Sequence, residues 1–135
     1  MKSAARNLFP KSARLFLKKD IDDLFQKGQS FISYPLRIVY LSDPGVTPPE
    51  SGISILVSVP KKRIKLAVNR NRIKRLVRET YRLNKSNITD YCILNNKRLH
   101  VAFMYISNDI ASYAVIEKGM LKALNSLCQK EKVNI

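Results

Sequence analysis

Eleven of the chain's twenty-five lysines and arginines fall within residues 61–85, where the one acid is Glu79. Basic side chains at this density are the chemistry of polyphosphate binding, because guanidinium forks take phosphate oxygens two at a time and ammonium groups act as point charges. Projected at about 100° per residue, Arg70, Lys74, Arg75, Arg78, Arg82 and Lys85 share one sector of a helix over 69–82, and Ile73, Leu76, Val77, Thr80 and Leu83 fall on the opposite one. One face of such a helix enters a core and the other meets an anion. A merely solvated helix intersperses Glu with Lys for i,i+4 pairing. Here the basic sector holds no acid and Glu79 lies off its edge, so its self-repulsion calls for a partner.

Side chains suited to catalysis are sparse. A hydrolase acting alone needs a paired acid and base, an activated nucleophile or a metal cluster; the chain has one histidine, His100, and scattered carboxylates. Asp20, Asp22 and Asp23 form an acidic cluster at a helix start, where the helix dipole favours negative charge, and no metal role is assigned to them. Cys92 and Cys128 are too few and too distant for a zinc site and read as core thiols. No catalytic residue and no protein-held metal or cofactor is expected.

The whole chain carries +15 over 135 residues, and six of the basic residues lie in the first nineteen, which hold no acid. Nucleic acid is the leading partner class. An anionic membrane surface is the rival for a basic amphipathic helix, but the apolar sector lacks Trp or Phe anchors. No 18-residue apolar run and no secretory apolar core are present, which implies a cytoplasmic protein without a membrane partner. Length and a 45% apolar content fit one compact domain over 15–135, preceded by a basic arm over 1–14.

The elements that must position the basic helix follow from periodicity. A short helix near 18–27 aligns Ile21, Leu24 and Phe25 and stops at Gly28. Leu36–Leu41 reads as a strand, and 42–52 as a loop rich in Pro and Gly. Ile53, Ile55, Val57 and Val59 alternate with Ser54, Leu56 and Ser58 as a second strand, ended by Pro60. Ser86–Leu99 reads as polar and partly irregular. Val101–Ile106, apolar on both faces, reads as a central strand, and 112–130 as a last helix with Ile116, Met120, Ala123, Leu124 and Leu127 on one side. The order helix, strands, helix, strand, helix implies an α+β protein, a single-domain two-layer α/β sandwich. In it the first two strands would pair across the Pro/Gly loop, and the strand after the basic helix would run parallel to one before it.

The string Ala67-Val68-Asn69-Arg70-Asn71-Arg72-Ile73-Lys74-Arg75-Leu76-Val77-Arg78-Glu79-Thr80-Tyr81-Arg82 closely resembles the signature of the bacterial ribonuclease P protein subunit, which it meets at every fixed position. The resemblance extends through Leu24-Phe25, Gly28, Gly52-Ile53-Ser54 and Lys62-Arg63, and so over nearly the whole chain. Two departures are Lys65-Leu66, where the family usually has Gly, and Ile21, where it usually has an aromatic. The resemblance implies a ribosomal protein S5 domain 2-like fold with a left-handed βαβ crossover, against the usual hand. It also implies a protein that binds the catalytic RNA of ribonuclease P and the 5′ leader of precursor tRNA, assisting removal of the leader while the RNA does the chemistry with its own Mg2+. A monomer in a 1:1 ribonucleoprotein is expected.

On these grounds Lys61, Lys62, Arg63, Arg70, Asn71, Arg72, Lys74, Arg75, Arg78 and Arg82 are the expected RNA-binding residues. Ile21 and Phe25, with strand residues facing them, are expected to line a groove for the single-stranded leader, which takes apolar or aromatic platforms beside positive charge. The alternatives are a ribosomal-type structural RNA-binding protein without a cleavage role, a helix-turn-helix DNA binder, which the strand at Ile53–Val59 disfavours, and an unaided nuclease.

Overall fold

The structure, a computed structural model, describes residues 18–42, 52–95 and 97–133; the arm over 1–14 and most of the Pro/Gly loop lie outside the described residues. Helix α1 spans Lys18–Lys27, with Asp20 in its first turn and Lys27 in its last, each matching the dipole. It ends where the Gly28 N–H donates to the Leu24 carbonyl at 2.9 Å. A Cβ at Gly28 would lie 2.4 Å from that oxygen and 2.8 Å from the Tyr40 carbonyl oxygen, so only glycine lets the chain turn this close to the sheet.

The strands are β1 (Gln29–Ser33), β2 (Leu36–Ser42), β3 (Gly52–Ser58) and β4 (Arg98–Tyr105), in spatial order β1-β2-β4-β3. β2 pairs antiparallel with β1 and β4, and β3 runs parallel to β4. The parallel pair is the expected crossover unit, built here from α2 (Ala67–Asn84) and α3 (Ser86–Leu94) between its strands. The expected pairing of the two early strands does not occur, because β4 separates them. β4 is buried on both faces and takes a central position, whereas β3, with Ser54 and Ser58 on one face, takes an edge.

Two further differences have physical reasons. β1 is absent from the apolar pattern because Gln29 and Ser30 lead it and Phe31 and Ile32 point to opposite faces, leaving no apolar stripe. Ser86–Leu94 is a helix rather than irregular chain, with Ile88 and Cys92, one turn apart, as its buried residues, while Ile93 and Leu94 are exposed and blur the period.

The register sorts the core. Leu36, Ile38 and Tyr40 of β2, Val101, Phe103 and Tyr105 of β4, and Ile53, Ile55 and Val57 of β3 share the inner face. There they pack with Ile73, Val77 and Tyr81 of α2 and with Ile116, Met120, Ala123 and Leu127 of α4 (Tyr113–Val133). On the outer face α1 lays Leu24 and Ile21 over Val39, Ala102, Leu41, Leu56 and Met104. Sheet and inner helices make the two layers, and α1 covers part of the other side.

The rotation of α2 differs from the expected sectors. Ile73, Val77, Thr80 and Tyr81 are buried, Leu76 is half-buried, and Leu83 is 48% exposed. Tyr81 projects among the basic residues, yet its ring packs tilted against Phe103 at 5.8 Å between centroids. Burying so large a ring is favourable by roughly 1.5–3 kcal/mol, which turns the helix toward Tyr81 and away from Leu83. Arg70 and Lys74 are thereby drawn to a half-buried edge, and Asn71, Arg75 and Arg78 face solvent.

Candidate nucleic-acid interface

The solvent face of α2 forms a shallow basin of about 420 Å3 lined by Asn71, Arg75, Arg78, Glu79 and Arg82. The helix supplies all five because positions three, four and seven apart stack on one face. Glu79 is not the bystander its position off the sector suggested. It accepts from Arg82 Nη2 at 2.6 Å and from Arg82 Nε at 3.2 Å, so one arginine of the basin is neutralised within the turn. Arg75 and Arg78 are exposed and leave the basin net positive. Lys85, at the end of α2, has its ammonium pKa pushed down by burial and then by Arg82.

The remaining expected RNA contacts are placed differently. Arg72 is exposed but outside the basin, and Lys74 is half-buried. Arg70 turns back on its own chain: Nη1 donates to the Ile64 carbonyl at 3.0 Å and to the Lys65 carbonyl at 2.7 Å. The helix start has no side-chain cap, so this guanidinium joins the Asn69 and Arg70 N–H groups, each 3.1 Å from the Leu66 carbonyl, in tying the preceding segment to α2. The same segment carries Lys61 and Lys62, both exposed, and Arg63, which donates to Asn108 Oδ1 at 3.3 Å. Leu66, at the residue before the helix, has φ −82° and ψ 129°, ordinary extended backbone, so the departure from glycine at Lys65-Leu66 imposes no strain there.

On the outer face, Ile21 is half-buried and Phe25 is 44% exposed. The strand residues beside this helix are Leu56 and Met104, both partly buried. Arg37, opposite Met104 in the register and exposed, adds a cation to the same face. No sequence pattern singles out Arg37, a lone charge in an apolar strand. Leu56 carries a faint signal, as an apolar residue in the polar phase of its strand, whereas Met104 carries none because its strand is apolar on both faces.

His100 is 4% exposed and its Nδ1 has no hydrogen-bond partner among the described residues. Burial pushes its pKa below the ordinary value, with Asp20 pulling it up and Arg98 pushing it further down. It is thus a neutral imidazole walled off from solvent at neutral pH. Among the described residues no group of three His, Cys, Asp or Glu could hold a metal ion, and no helix is long and apolar enough to cross a membrane.

A family profile for Ribonuclease P matches residues 9–127. A ribonuclease P protein component of Porphyromonas gingivalis is 42% identical over 126 residues, covering 92% of this chain and 89% of the relative. One from Xylella fastidiosa is 31% identical over 136 residues, covering 91% and 96%. The solved RNase P protein of Thermotoga maritima shares the fold with a TM-score of 0.65 at 20% identity, covering 84% of this chain and 96% of that one.

Proposed function

The chain belongs to the ribonuclease P protein family, and from that premise we propose that it is the protein subunit of the ribonuclease P ribonucleoprotein. In this reading it binds the catalytic RNA and the 5′ leader of precursor tRNA and assists release of the leader, while the RNA performs the hydrolysis with Mg2+ held on its own phosphates. The protein acts as a monomer in a 1:1 particle in the cytoplasm. The observation that carries the reading is the net-positive basin on α2, with Arg75 and Arg78 open to solvent on a rigid helix. Such forks grip the phosphates of a folded RNA in fixed geometry at no cost in loop ordering.

The leader has a different physical need, and the outer face supplies it. Phe25 offers part of an aromatic face, Leu56 and Met104 an apolar floor, and Arg37 a charge for the backbone. Together they suit unstacked bases without a sequence requirement. The two surfaces lie on opposite sides of the sheet, since α1 packs on the Val39–Ala102 face and α2 on the Ile55–Val101 face. One protein can then hold catalytic RNA and substrate at once. His100 is walled off from solvent, so an attacking water does not reach it.

The test is reconstitution. Purified protein added to the ribonuclease P RNA of the same organism, with precursor tRNA at low magnesium, should restore cleavage at the mature 5′ end. Cleavage equally fast without the protein, or cleavage by the protein alone, would overturn the reading.

A further inference from the structure

A second basic cavity lies apart from the α2 basin and at the border of the outer face, between the β1–β2 turn and α4. It measures about 510 Å3 and is lined by Ile32, Ser33, Tyr34, Val115, Lys118, Gly119, Lys122 and Ser126. Its shape is built in. Ser33 Oγ donates to the Gly119 carbonyl at 2.7 Å, and a Cβ at Gly119 would lie 2.5 Å from the Tyr34 carbonyl oxygen, so glycine is what lets α4 close against the turn. Lys118 and Lys122 stand one helical turn apart, both exposed, and no acid lines the cavity. Tyr34 is 61% exposed, with its hydroxyl anchored to Ser107 Oγ at 3.1 Å, so the ring is held while much of it stays open. Ile32 and Val115 add exposed apolar wall.

We propose that this cavity is a binding site for single-stranded RNA, taking one nucleotide with its base against the Tyr34 and Ile32 wall and its flanking phosphates on Lys118 and Lys122. Three observations favour this occupant. The volume falls within the roughly 300–1,000 Å3 of small-ligand sites. An open aromatic beside paired cations is the recognition chemistry of unstacked bases, whereas an anionic lipid surface needs no bounded cavity and an acidic peptide needs no base-sized apolar wall. A further cation lies on the same side of α4, one turn past Ser126: Lys130, 5.4 Å over the Phe31 ring. On the outer face, Ile32 pairs in register with Arg37, and Arg37 with Met104, so a strand crossing that face would be led toward the cavity. The site is defined on the free protein and stands whether or not the ribonuclease P reading holds.

Backbone amide spectra of the full chain titrated with tetrauridylate test it. Saturable shifts are expected at Tyr34, Gly119 and Ser126. They should vanish in Lys118→Gln/Lys122→Gln, whose exposed positions leave the fold intact, and persist in the charge-matched control Lys18→Gln/Lys27→Gln. Tyr34→Ala should weaken this binding at least about fivefold, the lower end of a base–aromatic contact. Three outcomes would overturn the proposal: no shifts at the cavity, shifts that survive in the double lysine variant, or equal shifts from inorganic phosphate or a tetraglutamate peptide, which would mark a plain anion sink.

Discussion

Replacing Arg75 and Arg78 with Gln removes the two exposed guanidinium groups of the α2 basin while leaving Ile73, Val77 and Tyr81 packed. If each fork neutralises one phosphate, the slope of log affinity against log salt should flatten by roughly 0.7–0.9 per contact, about 1.4–1.8 for the pair. Between 50 and 200 mM salt, a fourfold change, the double variant should therefore lose about tenfold less affinity than the parent does. Arg82→Gln should flatten the slope less than either arginine, because Glu79 already holds that guanidinium at 2.6 Å. Glu79→Gln should do the reverse, releasing Arg82 and steepening the slope. The assay is fluorescence anisotropy of labelled ribonuclease P RNA over a salt series, with thermal melts confirming that each variant is folded. Weakened binding with an unchanged slope, or an Arg82 effect as large as that of Arg75 and Arg78 together, would show that the basin is not where phosphates are neutralised.

The other expectations test the remaining surfaces and the core. Val77→Asp puts a charge at a fully buried position between α2 and the sheet and should destabilise the domain by several kcal/mol, about the cost of an unpaired buried ion, read as loss of a cooperative melt. Phe25→Ala should cost roughly 1–2 kcal/mol of stability, since the ring is 44% exposed, yet should weaken precursor tRNA binding to the holoenzyme more than mature tRNA binding; equal weakening of both would make Phe25 a packing residue only. Because the folded pKa of His100 lies below its unfolded value near 6.5, the unfolded chain takes up the proton first, and stability falls as pH drops below about 6.5. His100→Gln should remove that component, so the stability difference between parent and variant should change across pH 7 to 5 and stay flat above pH 7.

Much of this molecule is legible in periodicity. α1, β2, β3, α2, β4 and α4 each carry an apolar repeat long enough to mark them, and the Ser54–Leu56–Ser58 phase marked the face that α1 only partly covers. β1 and α3 were illegible for a common reason: each buries too few side chains to write a period, two being fully buried in α3 and Ser33 alone in β1. An angular projection sets the phase of α2 one flank away from the observed one, because it weighs residues equally, whereas the ring of Tyr81 outweighs the side chain of Leu83. Of the basic residues, the projection grouped Arg75, Arg78 and Arg82 correctly, but it had no means of showing the Glu79 fork on Arg82, nor of bringing Lys118 and Lys122 to the β1–β2 turn, a contact between elements far apart in sequence.

Arg70 shows most clearly what a basic motif hides. By residue type it belongs with Arg75 and Arg78, yet its guanidinium is committed to the carbonyls of Ile64 and Lys65. Those carbonyls belong to the turn that leaves β3 beside the outer face and enters α2 beside the basin, and the same turn carries Lys61, Lys62 and Arg63. The backbone closes the turn through the Arg63 and Ile64 N–H groups on the Pro60 carbonyl at 3.0 and 3.2 Å, and the helix start lacks a side-chain cap. Both bonds from Arg70 leave from the one nitrogen, Nη1, so a single arm of the guanidinium holds the turn. The side chain of Arg70 is therefore spent in part on holding the turn, and with it the segment that carries Lys61, Lys62 and Arg63 into α2.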